Sequence, residues 1–199
     1  MSEVTARDHP EPDKRPTRRD VLAGLSVLGL GIAAGTHPAS AQPENERPRE
    51  GDLLVLSEGE NPSPKPLRLD DIRLGGPPIQ AWPMDPASRV IRMGSRLNKV
   101  LLVRLDPESL VGVTRERAAE GVVAYSAVCP HAGCEVTLWV AEQKILECLC
   151  HYSHFNPREG AMVIDGPAPR ALAALPLKIV NGNLAVAKPF TGRVGIVPT

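Results

Sequence analysis

The apolar and polar positions of the chain fall into short runs separated by turn residues, the pattern of strands and not of long helices. Runs rich in Val, Ile and Leu recur at residues 53–56, 89–92, 100–105, 122–127, 135–139, 144–147, 162–164, 177–180 and 184–187, and each predicts a strand. Asn181-Gly182-Asn183 separates the last two and supplies residues that accept a positive φ, so these strands should form a hairpin. Asp106-Pro107-Glu108-Ser109 reads as the cap of a short helix, residues 114–120 as a charged surface loop, and the proline-rich stretch 62–86 as loops over the sheets. With 21 prolines and 17 glycines in 199 residues, long helices are disfavoured and the expected fold class is all-β.

One apolar run has a different meaning. Residues 21–34 follow Thr17-Arg18-Arg19-Asp20-Val21-Leu22 and precede Pro38-Ala39-Ser40-Ala41, which together resemble a twin-arginine export signal with a small-residue cleavage site. A membrane span needs about 20 apolar residues, whereas residues 21–35 offer 15 before Thr36, His37 and Pro38 intervene. Residues 1–41 are therefore expected to be a signal peptide that is removed, and 42–51 a linker. Left uncleaved, residues 21–41 would anchor the chain in the inner membrane, with 42–51 as a hinge. Residues 52–199 are expected to be one domain.

Charge adds little. The chain has 23 basic and 23 acidic residues, and five of each fall in the first 41, so no bulk field favours nucleic acid or an anionic surface.

The candidate chemistry lies in two short boxes, Cys129-Pro-His131-Ala-Gly-Cys134 and Cys148-Leu-Cys150-His151-Tyr-Ser153, which hold all four cysteines and a histidine each. Read as C-x-H and C-x-x-H, they offer Cys129, His131, Cys148 and His151 as ligands of a metal group, with Cys134 and Cys150 left over. Two structural disulfides, with three possible pairings, would use the same cysteines. A Cys2His2 zinc site would use the same donors.

The boxes, their spacing and the segment Gly166-Pro167-Ala168-Pro169 resemble those of Rieske iron–sulfur proteins, in the branch that carries a disulfide. The resemblance spans roughly residues 122–176. It implies a stack of small antiparallel sheets with a cluster-binding part at one end. It further implies a [2Fe-2S] cluster with Cys129 and Cys148 on one iron, His131 and His151 on the other, and a Cys134–Cys150 disulfide beside them. Imidazoles in place of thiolates lower the negative charge of such a cluster and raise its potential into roughly the −150 to +300 mV range. Pro167 belongs to the loop that covers the cluster in this family, and Ser153 matches the serine whose hydroxyl donates to a bridging sulfide. Phe155 stands where high-potential members have a tyrosine that donates to a cysteine ligand, so a lower potential is expected. Tyr152 replaces a glycine, which suggests a different turn or a partly shielded tip, and Ala132 replaces a leucine common in quinol-oxidising members. His154 has no ligand counterpart and reads as a surface residue.

No nucleophile elbow, phosphate loop or other catalytic motif appears outside the boxes. The resemblance implies an electron-transfer subunit and not an enzyme by itself. Its partners would be a larger oxidoreductase or cytochrome subunit and a periplasmic cytochrome c or copper protein. Export of a folded, cluster-loaded chain by the twin-arginine route would place it in the periplasm, where the disulfide forms. The alternative is the Rieske subunit of a quinol:cytochrome c oxidoreductase, with quinol as the donor. Cleavability of the leader, Phe155 and Ala132 lean towards the first. A stapled, non-redox binding module stands as the reading from another class.

Overall fold

The computed structural model describes residues 42–58 and 62–196. Its strands are β1 (Leu53–Leu56), β2 (Ile79–Met84), β3 (Val100–Arg104), β4 (Val122–Ser126), β5 (Leu138–Val140), β6 (Ile145–Cys148), β7 (Ser153–Asn156), β8 (Met162–Asp165), β9 (Leu177–Val180) and β10 (Asn183–Val186). They form two antiparallel sheets, one of six strands in the order β4-β3-β2-β1-β10-β9 and one of four in the order β5-β6-β7-β8. The all-β expectation is met.

β3 and β4 are apolar at nearly every position because both of their faces are covered. Strand side chains alternate, so Leu101 and Val103 with Val123 and Tyr125 face one core, which also holds Val136, Leu146 and Phe155. Val100 and Leu102 with Val122 and Ala124 face a second core beside Leu54, Ala81 and Leu184. The first core lies directly beneath the cysteine–histidine boxes, since Cys129 and Cys148 are part of it.

Several elements differ from the sequence expectation. Residues 89–92 do not form a strand: Arg89 has φ 60, and pairing is limited to one bridge between Met84 and Ile91. Within the expected loop region 62–86 lies β2. Its Pro83 is tolerated because β3 pairs with β2 only over residues 79–81, so the missing N–H of Pro83 leaves no ladder bond unmade on that side. β7, not expected from the sequence, starts at the last residue of the second box, and β5 begins only at Leu138. The charged loop contains the short helix α1 (Val113–Arg117), and the helix expected near residue 106 is a single 3-10 turn, Pro107–Ser109, capped by Asp106. The expected hairpin forms, with Asn181 at φ 51 and Gly182 at φ 78 between β9 and β10.

Residues 42–51, expected as a linker, run along the head. The cause is Arg92, only 1% exposed, whose guanidinium donates to both carboxylate oxygens of Asp52 at 2.7 and 3.1 Å and to Glu46 at 2.7 Å. Asn98 donates to the Glu46 carbonyl at 2.7 Å, and Gly94 N to that of Glu44 at 3.0 Å. A planar five-donor guanidinium is the side chain suited to hold two carboxylates at once. Residues 1–41, and with them the twin-arginine motif and the candidate anchor, lie outside the described residues. Among those described, no helix is long and apolar enough to cross a membrane.

Arg92→Met removes the cation and leaves Asp52 buried without its partner. Urea unfolding monitored by circular dichroism is expected to show a loss of about 3–5 kcal/mol; a loss below 1 kcal/mol would mean that this ion cluster does not hold the segment down.

Candidate metal centre

The first box is the connection from the six-stranded to the four-stranded sheet, leaving β4 and leading to β5. It is closed on itself: Cys129 N donates to the Cys134 carbonyl at 2.8 Å, Gly133 N donates to the Cys129 carbonyl at 3.0 Å, and Val128 bridges Glu135. Arg96, from outside the motif, donates to the Gly133 carbonyl at 2.8 Å. The second box is the tip of the β6–β7 hairpin, where Cys148 pairs with Ser153 and Tyr152 N donates to the Cys148 carbonyl at 2.9 Å.

A disulfide joins Cys134 to Cys150 and ties the two loops together. Of the three pairings the sequence allows, this one leaves Cys129 and Cys148 as free, buried thiols. The sulfurs of Cys134, Cys148 and Cys150 lie within 4.8 Å of one another. Two of them are spent in the covalent bridge, so this triple is the disulfide passing beside Cys148 and not a set of three ligands.

The two imidazoles of the boxes, His131 and His151, meet edge to face, with ring centroids 4.5 Å apart and planes at 87°. His151 is exposed, while Nδ1 of His131 is buried without any hydrogen-bond partner. A buried ring nitrogen lacking a partner costs roughly 1–3 kcal/mol, and a metal ion would satisfy it. Burial pushes the Cys129 thiol up; the His131 N–H pulls it down, the adjacent Cys148 sulfur pushes it up again, and the Ser153 hydroxyl pulls it down. Two thiols side by side in a core resist ionising together unless a cation joins them. The donor set of two buried sulfurs, one orphaned imidazole nitrogen and one exposed imidazole therefore fits a mixed thiolate–imidazole metal group.

The surroundings place the remaining candidates. Ser153 is buried, and its Oγ accepts from Ala168 N at 3.1 Å, which leaves its hydroxyl proton free to be donated elsewhere. Ala168 belongs to the proline loop, in which Pro167 is exposed. Gly166 lets that loop press on the second box. With φ 87, its Cα comes so close that an added Cβ would sit 2.5 Å from the Tyr152 carbonyl oxygen and 2.6 Å from Ser153 Cα. Phe155 is fully buried in the core below the thiols.

Tyr152 departs from expectation, keeping the turn that a glycine would make, at φ 57, with its side chain 65% exposed. Holding a non-glycine residue there costs about 1–2 kcal/mol. Ala132 is exposed. His154, on β7 between Ser153 and Phe155, faces away from the thiols, with Nε2 3.6 Å from Glu147 and Nδ1 4.0 Å from Asp165. It is half-buried beside carboxylates, not fully at the surface. Arg96 has no signal in the sequence, because it acts on a backbone carbonyl from outside any motif; Gly166 was legible as part of its motif, but its close approach to Tyr152 and Ser153 was not.

A family model described as the Rieske [2Fe-2S] domain matches residues 92–176. A Haloferax mediterranei protein, provisionally assigned as the Rieske subunit of a respiratory nitrate reductase, is 40% identical over 106 residues, 52% of this chain and 47% of its own length. The cytochrome bc1 complex Rieske iron–sulfur subunit of Streptomyces lividans is 38% identical over 98 residues, 48% of this chain and 58% of its own. The chain thus spans about half the length of these curated relatives. Among solved structures, the ferredoxin of carbazole 1,9a-dioxygenase from Nocardioides aromaticivorans aligns with TM-score 0.41 at 21% identity, covering 61% of this chain and 93% of that one. The soluble domain of Rieske protein II from Sulfolobus acidocaldarius aligns with TM-score 0.37 at 22% identity, covering 45% and 61%. The paired free thiols, the flanking imidazoles and the bridging disulfide lie inside the matched segment, so residues 92–176 carry a Rieske [2Fe-2S] domain.

Proposed function

We propose that this chain is a periplasmic electron-transfer subunit in which Cys129 and Cys148 hold one iron of the [2Fe-2S] cluster and His131 and His151 the other. The observation that carries the ligand set is the buried, partnerless Nδ1 of His131 beside two free buried thiols. When bound, such a cluster supplies one-electron uptake and release at a potential raised by its neutral ligands.

The chain's own residues do the rest. Cys129 and Cys148 fix the group from the core side, where Phe155 excludes water. Ser153, whose Oγ accepts from Ala168 N, keeps its hydroxyl proton to donate to a cluster sulfide and would so stabilise the more negative, reduced state. His151, exposed at the tip, is the edge presented to a docked partner, and its outer nitrogen is placed to give up or take a proton. Gly166-Pro167-Ala168 closes the side next to the second box. The Cys134–Cys150 bridge suits an oxidising compartment, in agreement with the twin-arginine reading of residues 17–41.

The partner is a larger oxidoreductase or cytochrome subunit, with a cytochrome c or copper protein receiving the electron. The Haloferax relative supports a place in a respiratory oxidoreductase. A second reading, the Rieske subunit of a quinol:cytochrome c oxidoreductase, is supported by the Streptomyces relative and by the exposed His151, to which a quinol hydroxyl could donate. Purification of the native assembly from membrane and soluble fractions separates them: cytochromes b and c select the quinol complex, and a large molybdenum subunit the other.

The purified chain is expected to be red-brown, with about two irons each and a paramagnetic resonance signal that appears only on reduction; a colourless protein with stoichiometric zinc contradicts the proposal. Ser153→Ala is expected to lower the midpoint on the order of 59 mV, the one-electron equivalent of a tenfold change in equilibrium, and Phe155→Tyr to raise it, both read by redox titration. Gly166→Ala, which forces a Cβ into the Tyr152–Ser153 backbone, is expected to lower cluster content severalfold in iron analysis, with wild-type content counting against the close-packed loop.

A further inference from the structure

Two arginines outside the boxes reach the segments around the site through backbone carbonyls, and neither is spent in an ion pair among the described residues. Arg96 Nη1 donates to the Gly133 carbonyl, and its Nη2 lies 2.9 Å from where a Gly133 Cβ would be, so the guanidinium sits flat against the first box two residues from His131. Arg170, one residue beyond the proline loop, donates to the carbonyl of Gly195 and, at 3.4 Å, to that of Arg193. That carboxy-terminal segment lies along the first box, where a Cβ on Gly195 would be 3.3 Å from Val128 and one on Gly133 3.7 Å from Ile196.

The charge around these groups is one-sided. Glu135, next to Cys134 in sequence, is paired with Lys99 at 3.2 Å and also accepts from Gln80. Among the ion pairs of the described residues neither Arg96 nor Arg170 takes part. The flank of the first box is left with a net positive charge that touches the loop itself.

On the ligand reading above, we infer that Arg96 and Arg170 are positioning residues of the electron-transfer site, clamping the first box and the carboxy-terminal segment against it while their uncompensated charge holds the reduction potential up. Reduction adds one negative charge to the site, and a cation within a few residues favours the state that carries it. The effect opposes that of Phe155, which supplies no donor to a cysteine sulfur. It also gives the chain a means of setting its potential that the box residues do not encode.

The test compares Arg96→Gln, Arg170→Gln, the double variant, and Arg96→Lys and Arg170→Lys, each in the full chain. Paramagnetic resonance is followed through a redox titration at low ionic strength and fixed pH. The expected result is a midpoint shifted to lower potential in each glutamine variant, further in the double variant, and near wild type with lysine. Glutamine variants that keep the wild-type midpoint overturn the inference. Loss of the cluster with glutamine and its retention with lysine supports the clamp, whereas loss with both overturns it, since a cation in place then does not suffice. A wild-type chain that gives no reduced-state signal refutes the ligand reading instead and is seen before any variant is made.

Discussion

The covalent bridge between Cys134 and Cys150 is the constraint on which the rest of the site depends. The first box is the crossing from the large sheet to the small one, and the second is a hairpin tip within the small sheet; the β5–β6 ladder joins them only from Leu138 onward, whereas the disulfide joins the boxes directly. Joining residues 16 apart removes about 3 kcal/mol of loop entropy from the unfolded chain. In the folded chain it brings the Cys129 and Cys148 thiols to one place in the core. Once they are there, burial and their mutual proximity make two thiolates costly, and the site calls for a cation to join them.

The other loops act on that pair at one remove. Gly166 allows the proline loop to lie on the second box, which brings Ala168 N to the Ser153 hydroxyl oxygen. Phe155 fills the space beneath without a polar atom. The strained, exposed Tyr152 is carried by the same hairpin at the tip that His151 occupies.

Much of this was legible in the sequence, for a physical reason: ligand types and spacing are local. The leftover cysteine pair and the Asn181-Gly182 turn depend only on local residue types and spacing, and the structure shows both, as a disulfide and as a hairpin. Elements decided by distant partners did not. Residues 42–51 have the composition of a linker, yet Arg92, more than 40 positions away, holds them through Glu46 and Asp52. β2 was obscured by Pro83, which is harmless only because β3 stops pairing before it. The turn at Tyr152 was expected to change with the loss of glycine, but the surrounding pairing of Cys148 with Ser153 imposes the left-handed conformation on tyrosine.

The most direct test of the central claim, two cysteines and two histidines sharing one cluster, is pulsed electron paramagnetic resonance of the reduced protein grown with 15N-histidine. Nitrogen couplings from two directly bound histidines are expected, with the pair lost when either His131 or His151 is replaced. A reduced cluster signal without histidine nitrogen coupling would contradict that claim.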